Sequence, residues 1–181
     1  MKDTICALAT PQGGAISVVR ISGSQAIELA ARIFVPRRGH PLEQRASHTV
    51  VFGDLCTDGK EVLDEVLLTV MRAPHSYTGE DCVEISCHAS PYITQQLLLS
   101  LLDMGARQAD PGEFTMRAFM NGKMDLSRAE AVADLIASTS RASHRLAINQ
   151  LKGGFSNELS ALRNKLLKLT SLMELELDFS E

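Results

Sequence analysis

Tryptophan is absent from these 181 residues, and aromatic residues of all kinds make up only 4%. That scarcity argues against a stacking platform for single-stranded nucleic acid, which needs successive aromatic faces. An excess of positive charge is also missing. The formal net charge is -4, so no global basic field holds a polyanion, and any RNA contact is local or falls outside this stretch. The four cysteines, Cys6, Cys56, Cys82 and Cys87, form no C-x-x-C pair, and no two histidines stand nearby at zinc-ligand spacing. Three of them lie in apolar, strand-like runs, the setting of a buried reduced thiol. Such usage suits a cytoplasm better than an oxidising compartment. There is no signal-peptide pattern and no apolar run long enough to span a membrane, so a cytoplasmic protein without a membrane partner is expected. Phosphate-binding loops are lacking too. Asn121-Gly122-Lys123 has Arg117 where a P-loop needs its first glycine and Met124 where it needs Ser or Thr, and Gly13-Gly14 lacks the G-x-G-x-x-G pattern. Ser76 has His75 and Asp81 near it in sequence but sits in no nucleophile-elbow motif.

What is present is ordinary globular composition, 45% hydrophobic and 22% charged, with length for one domain or one domain plus a piece of another. In the first half, "TICALAT" and "AISVVRIS" read as strands joined by a turn at Pro11-Gln12-Gly13-Gly14. Ser24 is placed to cap a short helix from Gln25 to Phe34. "HTVVFGDLC" and "EVLLTVMRA" flank Thr57-Asp58-Gly59-Lys60, and Asp-Gly is a strong hairpin signal. "CVEISCH" is a further strand, opened by the turn Thr78-Gly79-Glu80-Asp81. Pro91 starts an apolar-faced helix that Gly105 closes. Strands and helices mix without regular βαβ alternation, so the fold class is α+β.

The second half changes character, with no proline beyond Ser127. Leu151, Phe155, Leu159, Leu162, Leu166, Leu169, Met173 and Leu177 recur at spacings of three and four, one apolar helix stripe that demands a covering partner. The stripe remains open at "ELDFSE", which is the pattern of a fragment of a longer protein. Between the halves, "DPGEFTMRAFMNGKMDLSRAEAVADLI" starts a helix, stops it and starts another. Asp110 is expected as N-cap, with Pro111 at the first helical position and Glu113 reaching back as in a capping box. Asn121-Gly122 ends that helix, and Ser127-Arg128-Ala129-Glu130 is expected to cap the next. Lys123 stands in the short corner between them, either solvated or satisfying helix-end carbonyls, or held there for a purpose.

Two other charges sit where charge is unfavourable. Alternation puts Arg20 on one strand face with Ile16 and Val18, and Glu84 on a face with Ser86 and His88, away from Val83, Ile85 and Cys87. Each needs a partner or water. Either they form a cross-strand ion pair, or they line a pocket. In the second case a carboxylate accepts two N–H groups of a flat heterocycle such as a pterin or guanine, and cations meet an anionic tail.

Three segments, "DTICALATPQGGAISVVRISG", "APHSYTGEDCVEISCHAS" and "ADPGEFTMRAFMNGKMDLSRAEAVADLI", resemble signature blocks of the tRNA modification GTPase family known as MnmE or TrmE, in order and over essentially the whole chain. The turn at Pro11–Gly14 is shorter than an arginine-bearing version found in some members. The resemblance implies an α+β domain at residues 1–121, similar to the tetrahydrofolate-binding domain of the glycine-cleavage T-protein. It implies that residues 122–181 begin a helical domain, cut before an inserted GTPase domain. It further implies binding of 5-formyl-tetrahydrofolate by Arg20, Glu84 and Lys123, and a homodimer formed through the first domain. The whole family protein is a GTP hydrolase using Mg2+ and K+. With the flavoprotein MnmG (GidA), it forms the 5-carboxymethylaminomethyl group on the wobble uridine of tRNA. A free-standing aminomethyltransferase-like folate enzyme and a helical scaffold whose charges are all structural are the alternatives; the long stripe from Leu151 argues against the first of these.

Overall fold

Alternation of apolar and polar residues builds the sheet that dominates residues 1–123. In the computed structural model, which describes residues 3–11, 13–57 and 61–178, seven strands lie in the order β3-β4-β5-β6-β2-β1-β7. They are β1 (Ile5–Leu8), β2 (Ile16–Ser22), β3 (Phe34–Pro36), β4 (Thr49–Thr57), β5 (Glu61–Met71), β6 (Cys82–His88) and β7 (Arg107–Gln108). Every pairing is antiparallel except β1 with β7. Helices α1 (Ala26–Ile33) and α2 (Pro91–Asp103) contribute Leu29, Ile33, Leu97 and Leu101 to one core with Val19, Ile21, Leu68, Val70, Val83 and Ile85 of the sheet. Burying these side chains is the main favourable term in folding this unit. The opposite sheet face carries Arg20 and Glu84 and leaves Ile16, Val50, Phe52 and Leu67 exposed.

The expected α+β architecture is therefore present, and differences lie at element ends. Helix α1 begins one residue later than expected, and no side chain caps it: the Gln25 N–H donates instead to Thr4 Oγ1 at 3.1 Å. The acceptor for this helix-end N–H comes from Thr4, the residue just before β1, and not from a local cap at Ser24. The short edge strands β3 and β7 were not expected, because two or three residues carry no periodicity. The Asp58-Gly59 turn and Gln12 of the first turn lie outside the described residues. β4 and β5 are nonetheless antiparallel, with Thr57 opposite Glu61.

Residues 124–181 form a second compact unit of helices α4 (Leu126–Ala137), α5 (Arg141–Leu151) and α6 (Gly154–Asp178). The capping box expected at Ser127 is not there. Asp125 is the N-cap and accepts the Arg128 N–H at 2.9 Å, which leaves Ser127 inside the helix. That backbone bond is also the main reason the Asp125 carboxyl is held below its usual range. A break at Ser138–Ser140, missed in the sequence, is followed by a reciprocal cap between Ser140 and Ser143. Leu151 ends α5, so the stripe is not one helix. In α6, Leu159, Leu162, Leu166, Leu169 and Met173 are 49–65% exposed; the side chains of Phe155 and Leu177 lie outside the described residues.

Gly53 of β4 is where β3 comes closest. A Cβ there would stand 2.4 Å from both the Phe34 ring and the Val35 carbonyl oxygen. Gly53→Ala is expected to destabilise the protein by about 1–3 kcal/mol through overpacking. Thermal melts check this, with Phe34→Leu in the same background recovering part of the loss.

Candidate functional site

Arg20 and Glu84 face one another directly across β2 and β6. Arg20 Nε donates to Glu84 Oε1 at 2.8 Å, and Nη2 lies 2.7 Å from the same oxygen. The pair is about a quarter exposed, at 25% and 29%. Both contacts go to one oxygen, so the carboxylate keeps acceptor capacity at Oε2. The guanidinium also lies over two aromatic rings, Tyr77 at 5.3 Å and Phe114 at 5.4 Å. At a partly exposed site each such contact is worth about 0.5–1 kcal/mol.

Tyr77 belongs to the segment 72–81 that leads into β6, and Phe114 to helix α3 (Glu113–Met120). Side chains join the two. The Tyr77 hydroxyl shares a hydrogen bond with Thr115 Oγ1 at 2.9 Å, and Asn121 Nδ2 donates to the Thr78 carbonyl at 2.7 Å. Lys123 Nζ donates to the Pro74 carbonyl at 2.9 Å. The ammonium therefore bridges to the segment bearing Tyr77 and leaves the end of its own helix to the backbone. There, Lys123 N–H returns to the Ala118 carbonyl and Gly122 N–H to Phe119, with Gly122 at φ 69°. This is a Schellman stop, and only a residue without Cβ adopts that conformation freely. A Cβ at position 79 would be 3.2 Å from Asn121 Cβ and Lys123 Cγ, so corner and segment are in close contact. The structure thus joins Arg20 to Glu84 directly, while Lys123 reaches them only through the segment 72–81.

The start of α3 differs from expectation. Gly112, in a left-handed conformation, is the N-cap; Pro111-Gly112 forms a turn ahead of the helix, and Asp110 caps nothing with its side chain. Glu113 does reach back, its Oε2 accepting the Asp110 N–H at 2.8 Å. Its remaining capacity goes to arginines. Arg107 Nη1 donates to Glu113 Oε2 at 3.0 Å and Arg117 Nη2 to Oε1 at 3.0 Å. Arg117 is 1% exposed, and its Nη1 also donates to the Asp3 carbonyl (2.9 Å) and approaches Glu80 Oε2 (3.2 Å). Asp3 Oδ1 accepts from Arg117 Nη2 at 3.0 Å, and Glu80 Oε2 also takes the Ser22 hydroxyl at 2.9 Å. This network was not legible in the sequence as a site. Its only local trace is the Glu113–Arg117 spacing of four, which places the two on one helix face.

Other chemistry-bearing residues are committed to structure. Ser76 Oγ donates to the Glu80 carbonyl at 2.6 Å, and Asp81 Oδ1 accepts the Ala73 N–H at 2.9 Å. Burial pushes the Cys82 thiol up to about 12 and the Cys6 thiol up to about 11, so both are protonated and unreactive at neutral pH. Among the described residues, no group of three or more His, Cys, Asp or Glu side chains is arranged to hold a metal. No described helix is long and apolar enough to cross a membrane. Two concavities lie elsewhere, about 1070 Å³ beside Arg141, Arg145 and Lys152 of α5 and about 500 Å³ beside Arg37, Arg38 and Phe52. The Arg20–Glu84 pair sits on the open sheet face instead.

The family model described as "GTP-binding protein TrmE N-terminus" matches residues 4–123, and that of the "MnmE helical domain" matches residues 126–181. A "tRNA modification GTPase MnmE" of Bacteroides thetaiotaomicron is 60% identical over 181 residues, covering 99% of this chain and 39% of that protein. Proteins of the same name from Phocaeicola vulgatus and Flavobacterium psychrophilum are 53% and 56% identical, covering 99% of this chain and 42% and 39% of their own lengths. The chain thus spans about two fifths of the length of the curated relatives it matches.

The Arg117 network makes an acid-stability prediction. The bond from Arg107 is the largest cause holding the Glu113 carboxyl down at about 2, with the Asp110 N–H and Arg117 adding to it. A depressed carboxylate contributes stability that is complete above its unfolded value of 4.5 and lost as pH falls through the folded one. The melting temperature should therefore fall steeply between about pH 4.5 and about pH 2. Glu113→Gln should melt lower than the parent at pH 7, and the gap should close across that window. A gap that stays constant with pH would show that the ionised carboxylate contributes nothing.

Proposed function

The chain belongs to the MnmE (TrmE) family of tRNA modification GTPases, and from that premise we propose that residues 1–121, together with Lys123 of the corner that follows, bind 5-formyl-tetrahydrofolate through Arg20, Glu84 and Lys123, and that residues 1–121 pair two copies into a homodimer. Residues 122–181 then serve as the first part of a helical domain. The observation that carries the reading is the partly exposed Glu84 carboxylate, engaged through one oxygen only by a guanidinium that itself lies over two rings. Such a group accepts the amino and ring N–H groups of a pterin with charge-assisted hydrogen bonds. Arg20 and Lys123 suit the carboxylate or carbonyl oxygens of the rest of the ligand. The capped corner holds Lys123 in place beforehand, which lowers the ordering cost of binding. Exposed Ile16, Val50, Phe52 and Leu67 on the same sheet face support self-association of the first domain.

For a whole protein of the relatives' length, the proposal extends to GTP hydrolysis with Mg2+ and K+. It also includes action with MnmG on the wobble uridine of tRNA, where the folate supplies or regulates a one-carbon unit.

Glu84→Gln tests the folate site. It keeps the shape but turns one acceptor into a donor facing a donor. Charge-assisted bonds are worth roughly 1.5–3 kcal/mol each and an unpaired buried donor costs about 1–3 kcal/mol. Folate affinity should fall about ten- to a few hundred-fold by calorimetric titration. Lys123→Ala should weaken binding with little change in melting temperature, because among the described residues its side chain makes one hydrogen bond, an exposed one to the Pro74 carbonyl. If Glu84→Gln melts early yet binds folate like the parent, the Arg20–Glu84 pair is structural and the ligand role is wrong.

A further inference from the structure

We infer that Tyr77 and Phe114 are the stacking surfaces for the flat ring of the ligand, and that the Arg20 guanidinium occupies that place until the ligand displaces it from Glu84. The inference rests on the folate reading above and goes beyond it in naming the two aromatic residues and the internal occupant. The argument starts from shape. A guanidinium is planar, has a carbon bearing three nitrogens, turns an N–H edge to a carboxylate and presents its faces to aromatic rings. A 2-amino-4-oxopteridine also has a carbon bearing three nitrogens, with its amino group and a ring N–H on one edge. A niche that holds the first group by Glu84 and two rings has the chemistry to hold the second.

Three features support exchange. The chain has two tyrosines and six phenylalanines, and one of each lies over Arg20. The elements that carry the rings do not depend on Arg20: Tyr77 is held through Thr115 and its segment through Asn121 and Lys123, and Phe114 stands on helix α3. Arg20 itself is held weakly. Its pair with Glu84 is a quarter exposed and uses a single carboxylate oxygen, so parting them strands no buried charge. Arg117, sealed among Asp3, Glu80 and Glu113, could not move in this way. Once displaced, the Arg20 side chain is free to meet the anionic end of the ligand.

A tail-less probe separates this from simple contact. The 181-residue chain is titrated with a tetrahydropterin that lacks the aminobenzoyl-glutamate tail, and with 5-formyl-tetrahydrofolate. Arg20→Ala removes the competing occupant and should tighten the tail-less pterin about three- to tenfold, the factor expected when a competent state stops being masked by a weak pair. Tyr77→Leu and Phe114→Leu should each weaken it by a similar factor, from lost stacking. Tyr77→Phe keeps the ring and drops the bond to Thr115, so it should keep more of the affinity than Tyr77→Leu. Melting curves identify any variant that fails to fold, and the Tyr77→Phe and Arg20→Ala results then decide alone. Should Arg20→Ala bind the tail-less pterin no better than the parent, or should neither bind it, displacement is wrong. If the leucine variants bind like the parent while folded, the stacking assignment is wrong. The folate reading fails separately, by an intact chain that does not bind 5-formyl-tetrahydrofolate or binds it equally well as Glu84→Gln.

Discussion

Arg117 is a guanidinium 1% exposed, and a cation so far from water stands only while its carboxylates stand with it. Asp3 brings the entry to β1, Glu80 the end of the segment before β6, and Glu113 the first turn of α3. Arg107, beside β1, shares Asp3 and Glu113. Residues more than a hundred positions apart in sequence are thereby tied at one point. Ser22, at the end of the strand bearing Arg20, joins the same knot through Glu80 and Thr78. Beside it, the Tyr77–Thr115, Asn121–Thr78 and Lys123–Pro74 bonds hold the segment 72–81 to α3 and the corner that follows.

Two arginine–glutamate constellations thus lie near one another with opposite properties. In the buried one, every hydrogen-bonding edge is used and three carboxylates answer two guanidiniums, which suits a fixed joint. In the open one, a single guanidinium meets a single carboxylate oxygen and its remaining faces rest on aromatic rings. Desolvation makes the first too costly to break, and partial solvation makes the second cheap to rearrange. Rigid support beneath an exchangeable surface is the arrangement that lets a small ligand bind without paying to order the protein around it.

Alternation made much of this fold legible. The face shared by Val83, Ile85 and Cys87, and the opposite one bearing Glu84, follow from period two, as does the placement of Arg20 with Ile16 and Val18. That Arg20 stands directly opposite Glu84 is a matter of register, which depends on all the pairings in the sheet and on the buried face, not on either strand alone. Helix ends were read less well, for tertiary reasons. Thr4, just before β1, serves the start of α1 from far off in sequence, and Asp125 caps α4 two residues before the Ser127 that fits the local pattern equally well. Glu113 stands at the first helical position, where it answers Arg107 and Arg117 as well as the Asp110 N–H. The break at Ser138–Ser140 did have a local sign, Ser140 and Ser143 at capping-box spacing, but apolar periodicity masked it. Tyr77 and Phe114 escaped notice because a lone aromatic in a turn or an amphipathic helix has no pattern until the fold brings it to its partner.

Lys123 shows how local and tertiary demands meet at one residue. The Schellman stop at Gly122 satisfies the last carbonyls of α3 from the backbone, so the lysine ammonium is not needed there. Its stem lies against Gly79 and its head reaches the Pro74 carbonyl, an exposed bond worth little to stability. A neutral side chain would serve a structural corner as well. A cation kept at an exposed position, on a rigid turn, beside the segment that carries Tyr77, has its charge available for an anion at small conformational cost, and that availability is what distinguishes Lys123 from the sealed Arg117.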